Sequence, residues 1–160
     1  MDKTKIRALI LDYGGVISHP QKPENVNNIL ASLGKERNDF HRVYRRLRPQ
    51  YDDGQLSGVE YWTRLLQHYG LAPDGRLIAR LIQEDVQSWT HINEEMIQLI
   101  QEHRGQVHKL AIISNMTKDS LAFIREHFQW LALFDELTFS CDVGINKPAR
   151  EIYEACLGKL

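Results

Sequence analysis

Three polar residues stand where apolar segments end. Asp12 closes the run "IRALIL" and is followed at once by Gly14 and Gly15. Ser114, with Asn115 after it, closes "KLAII". Lys147 sits directly before Pro148 in "CDVGINKPAREIYEACL", ahead of a new helical pattern. Brought together, a carboxylate, a hydroxyl and an ammonium group suit phosphoryl transfer through a covalent aspartyl intermediate. The carboxylate attacks phosphorus, while glycine-flanked amides and a hydroxyl hold the equatorial oxygens. The lysine offsets the negative charge that otherwise keeps an anionic nucleophile away from an anionic substrate. A divalent cation normally completes such a site by bridging nucleophile and phosphate. Each residue alone is ordinary: a turn former, a loop hydroxyl, a solvated lysine at a helix start. Their order and their strand-end placement carry the inference.

The elements that must position them follow from hydrophobic periodicity. Ile6–Leu11 is a nearly continuous aliphatic run, the pattern of a strand buried on both faces of a parallel sheet. Lys109–Ser114 repeats it, and Glu136–Ser140 is a third candidate. Between them, "NEEMIQLIQEHR" puts Met96, Ile97 and Ile100 on one helical face, with Asn93 as N-cap. "KDSLAFIREHFQWL" places Leu121, Ile124 and Phe128 on another stripe, with Thr117 or Asp119 near its cap. Alternating strand and helix is the mark of an α/β doubly wound domain, in which ligands bind at the carboxyl ends of the strands. From about His19 to Ser88 the alternation stops and four helical patterns follow one another. Gly34 and Gly70 stand as C-cap glycines, and Pro23 and Pro73 stand near the next helix starts. A helical insertion directly after the first strand predicts a cap over the strand tips.

Bulk properties narrow the setting. The 160 residues favour one domain with an insertion, and net charge of -1 gives no electrostatic reason for a nucleic-acid or membrane partner. Cys141 and Cys156 lack metal-site spacing and are too few for a disulfide framework, which predicts a reducing, cytoplasmic location. The N-terminal apolar run is too short for a signal segment, and no run reaches bilayer length. The seven histidines are scattered without ligand spacing. Arg42, Arg45, Arg46 and Arg48 crowd one helix and read as a solvated basic face. Tyr44, Tyr51, Tyr61 and Trp62 read as packing of a small helical core.

The sequence resembles the haloacid dehalogenase (HAD) superfamily, in the branch with a helical cap after the first strand. The resemblance rests on "LILDYGGVIS", matching an apolar strand followed by Asp-x-Asp-Gly-Thr/Val at Asp12, Gly15 and Val16; on "LAIISNM"; and on "VGINKPAREIYEACL". The three appear in family order, and "SWTHINEEMIQLI" is similar to the segment that leads from cap back to core. The resemblance implies a Rossmann-like parallel-sheet core formed by residues 1–18 and 89–160, with a cap at 19–88. It implies Asp12 as nucleophile and metal ligand, and Lys147 as the charge-balancing cation. Ser114, Asn115 and Gly15 would bind phosphate or substrate, and the Gly14 carbonyl would be a second ligand to Mg2+. The implied substrate is a small phosphorylated molecule.

Two departures qualify these expectations. Family phosphatases carry an acid–base aspartate where Gly14 stands, and proton transfer of that kind contributes roughly a hundred- to ten-thousand-fold. Tyr13 is no substitute, because successive side chains of an extended segment point to opposite sides. The family's acidic fourth motif, which holds the magnesium ion, is not found before Leu160. The chain therefore reads as a fragment or truncated product with an incomplete core, weak or absent activity, and an unpaired first-strand edge prone to self-association. Two alternatives stand beside a phosphatase: a metal-independent hydrolase of the dehalogenase type, and a non-catalytic remnant that binds a ligand or protein.

Overall fold

A computed structural model describes residues 7–160. Ile6, placed by the sequence in the first strand, lies outside the described residues. Three strands, β1 (Ala8–Leu11), β2 (Lys109–Ser114) and β3 (Glu136–Phe139), form a parallel sheet in the order β1-β2-β3. β2 has the predicted bounds. The third strand stops one residue early, because Ser140 opens a short helix, α7 (Ser140–Val143).

The central strand shows why an aliphatic run was required. Leu110 and Ile112 enter one apolar cluster, with Ile97, Ile100, Leu121, Ile124 and Phe139. Ala111 and Ile113 enter another, with Ile152 and Cys156. Alternate side chains of one strand thus serve both faces of the sheet. Helices α5 (Glu94–His103) and α6 (Lys118–His127) supply the first cluster, and α8 (Arg150–Leu157) the second. The caps are those read from sequence: the Asn93 side chain accepts from the Met96 amide, and the Thr117 side chain from the Ser120 amide. Between β2 and β3, Asp135 accepts from the Leu110 amide at 2.8 Å and from Arg104 at 2.7 Å. These bonds hold its carboxyl below the usual carboxylate range.

β1 corrects the expectation of a strand buried on both faces. Leu9 is 39% exposed, because among the described residues only β2 pairs with β1. Between β1 and α5 lies an apolar groove of about 330 Å³ lined by Leu9, Leu11, Met96, Leu99, Ile100 and Leu110.

The inserted stretch forms α1 (Pro23–Leu33), α2 (Arg37–Asp52), α3 (Gly58–His68) and α4 (Gly75–Ser88). These helices have their own apolar cluster, built around Phe40, Tyr51, Tyr61, Trp62, Leu65 and Leu81. Tyr44 belongs to the same cluster, in keeping with the packing role expected for these aromatics. Arg48 does not lie on a solvated face. Its guanidinium pairs with Asp52 at 2.7 Å and Asp85 at 2.8 Å, and Asp85 is fully buried. The Tyr44 hydroxyl donates to Asp85 at 2.6 Å. Arg42, Arg45 and Arg46 remain exposed, as expected.

Two connectors join the helices to the sheet and pair as a short antiparallel ribbon. His19 donates to the His91 carbonyl at 2.8 Å, Asn93 to Ile17 at 2.8 Å and Lys22 to Ser88 at 2.8 Å. The insertion is therefore tied at its root by backbone hydrogen bonds.

Candidate active site

Asp12 leaves the carboxyl end of β1 into a tight turn. The amides of Val16, Ile17 and Ser18 converge on the Tyr13 carbonyl at 3.3, 2.9 and 2.8 Å. Gly15 adopts φ of 79° there, a conformation that strains residues bearing a Cβ. Gly14 answers a different demand. A Cβ on it would lie 3.2 Å from the Trp89 ring, so the indole occupies the space beside the turn that follows Asp12.

The Asp12 carboxylate is held from two sides. Its Oδ1 accepts from the Tyr13 amide at 2.8 Å, and its Oδ2 meets Lys147 Nζ at 2.6 Å. Lys147 Nζ also donates to the Ile113 carbonyl at 3.1 Å. The Asp12 side chain is 42% exposed and that of Lys147 19%, so the pair opens to solvent on the carboxylate side. Partly exposed ion pairs contribute only about 0–1 kcal/mol to stability, so this one matters more for orientation than for folding.

The β1–β2 register, Leu11 opposite Ile112, sets Ser114 at the same end of the sheet as Asp12. Ser114 is buried, and its Oγ makes a long 3.4 Å contact with the Asn115 carbonyl. The Asn115 carboxamide faces the Lys147 backbone: Nδ2 donates to its carbonyl at 3.1 Å, and Oδ1 accepts its amide at 2.7 Å. Lys147 is followed by a cis peptide bond to Pro148. Asp12 and Asn115 thus both meet Lys147, one at its Nζ and the other at its backbone. Ser114 and Gly15 flank them along the backbone.

Tyr13 turns into the core, though it lies in the turn itself and not on the extended segment expected. Its hydroxyl donates to the Trp89 carbonyl at 2.7 Å, and burial pushes the phenol well above its ordinary pKa. It stays neutral and engaged, away from the Asp12 carboxylate. Among the described residues, no group of three His, Cys, Asp or Glu side chains gathers to hold a metal. Asp12 and the Gly14 carbonyl offer hard oxygens of the kind magnesium accepts alongside water and phosphate. They would supply two ligands of an octahedral ion.

Three further residues at the site carry no local signal in the sequence. Trp89 stands in the returning connector, and its approach to Gly14 spans most of the insertion. Ser140 Oγ accepts the Met116 amide at 2.9 Å and donates to the Asp52 carbonyl at 2.5 Å. Asn146 Nδ2 donates to the Pro49 carbonyl at 2.8 Å. With Tyr51 donating to Asp119 at 2.7 Å, these bonds seat the end of α2 on the loops that carry Asn115 and Lys147. A lone Ser or Asn in a loop carries no local signal for such pairing.

A family profile for haloacid dehalogenase-like hydrolases matches residues 6–160. The chain belongs to that family. As a HAD-like hydrolase, it is 22% identical to a hydrolase of Schizosaccharomyces pombe over 176 residues, covering 97% of this chain and 74% of that protein. Its fold is shared with a HAD family enzyme of Bacteroides thetaiotaomicron solved with magnesium and inorganic phosphate. The TM-score there is 0.74 at 15% identity, over 94% of this chain and 76% of that one. A HAD-like hydrolase of Porphyromonas gingivalis gives a TM-score of 0.73 at 21% identity, over 95% of this chain and 75% of that one. The magnesium-bound HAD-hydrolase YfnB of Bacillus subtilis gives 0.63 at 18% identity, over 95% and 73%. Membership makes the chain a HAD-superfamily hydrolase with a Rossmann-type core. No helix among the described residues is long and apolar enough to cross a membrane.

Proposed function

We propose that this HAD-like hydrolase is of the phosphatase type and acts on a small phosphate ester through an aspartyl-phosphate at Asp12. The observation that carries this reading is the Asp12–Lys147 pair, 2.6 Å apart at the ligand edge of the sheet. Crystallisation of the Bacteroides relative with magnesium and phosphate supports it. In the first step an Asp12 oxygen bonds to phosphorus and the ester oxygen departs, taking a proton from solvent. In the second, water attacks phosphorus, the acyl-phosphate bond breaks, and the Asp12 carboxylate is regenerated.

Lys147 holds the carboxylate in place and balances charge as the dianion approaches. The Gly15 amide and the Ser114 hydroxyl are the candidate phosphate donors, since the amides of Val16, Ile17 and Ser18 are taken by the Tyr13 carbonyl. The Asp12 carboxylate and the Gly14 carbonyl would hold a magnesium ion, which supplies further charge neutralisation when bound. The four-helix insertion, residues 19–88, serves as the cap, and its α2 end closes over the loops bearing Lys147. Gly14 has no proton to give, so turnover depends on the leaving group. Aryl phosphates outrun alkyl phosphates, and overall activity is weak. The buried free thiols of Cys141 and Cys156 support a reducing, cytoplasmic setting.

The test is phosphate release from p-nitrophenyl phosphate, with and without magnesium, beside Asp12→Asn. Turnover abolished by Asp12→Asn is expected; turnover that survives it removes Asp12 as nucleophile. A second reading draws on Trp89. Dehalogenase-type members tend to carry a large residue where Gly14 stands, and here the indole fills that space. Chelator-insensitive halide release from a 2-haloacid would favour that chemistry, in which Asp12 attacks carbon.

A further inference from the structure

We infer that Asn115 is a positioning residue for Lys147, and that its carboxamide is committed to the protein rather than to substrate phosphate. This rests on the reading of Asp12 and Lys147 as a reacting pair. The side chain satisfies both backbone groups of Lys147, accepting the amide at 2.7 Å and donating to the carbonyl at 3.1 Å. A neighbouring β-strand would satisfy a residue in the same manner. The orientation of the carboxamide is fixed by these partners, since the flipped form would face donor with donor and acceptor with acceptor.

The geometry has a consequence for the ammonium. Residue 147 is gripped at its backbone by Asn115 and at its Nζ by the Ile113 carbonyl, 3.1 Å away. Both grips come from the end of β2, the most buried strand of the sheet. Lysine is a point charge on a flexible four-carbon stem, so its aim depends on where the stem starts. Anchoring both the origin and the tip to one rigid strand leaves the Nζ directed at Asp12 Oδ2. The adjoining Asn146 bonds the α2 end, so the same loop reports the seating of the helical insertion. Asn115 keeps that loop in register from the sheet side.

The experiment compares the full chain with Asn115→Leu, which is similar in size but has neither donor nor acceptor. Asn115→Asp is the second variant: it keeps the acceptor for the Lys147 amide and sets a carboxylate against the Lys147 carbonyl. Lysine acetylation rates are read residue by residue by mass spectrometry, and p-nitrophenyl phosphate kinetics are measured in parallel. Lys147 is expected to acetylate severalfold faster in Asn115→Leu, with Lys118 and Lys159 unchanged and Asn115→Asp intermediate. The turnover number should fall roughly tenfold or more with KM little altered, the result of a misaimed group rather than a lost phosphate contact. Unchanged Lys147 acetylation in both variants overturns the proposal. A raised KM with unchanged turnover also overturns it, by placing Asn115 on the phosphate. If the wild-type chain hydrolyses no phosphate ester yet Lys147 acetylation still shifts, the clamp stands and the phosphatase reading falls.

Discussion

Gly14 and Trp89 show how one missing side chain is filled from a distance. Resemblance to the family implies that position 14 is where a proton donor belongs, yet a Cβ there would stand 3.2 Å from the indole. Replacing glycine alone therefore presses the new side chain against the ring, which has to give way before a carboxyl can stand there. Gly14→Asp is expected to leave turnover of alkyl phosphates unchanged and to lower thermal stability. Gly14→Asp combined with Trp89→Leu is expected to raise that turnover by about a hundredfold, the lower end of what general acid–base catalysis supplies. Phosphate release from an alkyl phosphate measures both; a gain from Gly14→Asp alone would show that the ring is no obstacle. At this scale Asp12, Ser114, Asn115 and Lys147 were legible, because each ends or follows a recognisable apolar strand. Trp89 was not, because nothing local marks which residue its ring will meet.

Among the helices, the decisive contact is the one made by Arg48. Five arginines share α2 and look alike in sequence, but only Arg48 turns inward to Asp85, which is fully buried. Gln21, from the outgoing connector, donates to Ser88 at the end of α4 at 3.0 Å beside the same network, so the cluster ties α2 and α4 to the root of the insertion. Removing one partner of a buried pair strands the other charge. Arg48→Leu is expected to cost about 3–5 kcal/mol in urea denaturation. A loss below about 1 kcal/mol, the value for an exposed pair, would mean that water reaches Asp85. Helix existence, caps and C-cap glycines were readable from local chemistry. The pairing of Arg48 with a residue on another helix was not.

Across the whole molecule, the sheet edge sets the expected behaviour in solution. β1 presents Leu9 and the apolar groove beside α5, and among the described residues no strand pairs with its outer edge. Unpaired apolar edges template association. The chain is expected to self-associate with rising concentration by light scattering, and Leu9→Lys is expected to reduce this by charging the edge. A wild-type chain that stays monomeric across that range would count against association through β1. Burial could not be judged from the run "ALIL" alone, since the same pattern serves a central strand and an edge strand.

Local patterning was enough for the class of fold and for the order of the candidate site residues. Aliphatic runs mark parallel strands, helical periodicity marks their crossovers, and a polar residue at a strand's carboxyl end falls at the ligand edge. These are local properties, set by backbone geometry and the spacing of side chains. The tertiary structure decided which groups touch. It set the indole against Gly14, sent Arg48 to Asp85, and laid the Asn115 carboxamide against the Lys147 backbone. Those contacts join residues 32 to 75 positions apart, and only the packing of whole elements brings such residues within hydrogen-bond or van der Waals distance.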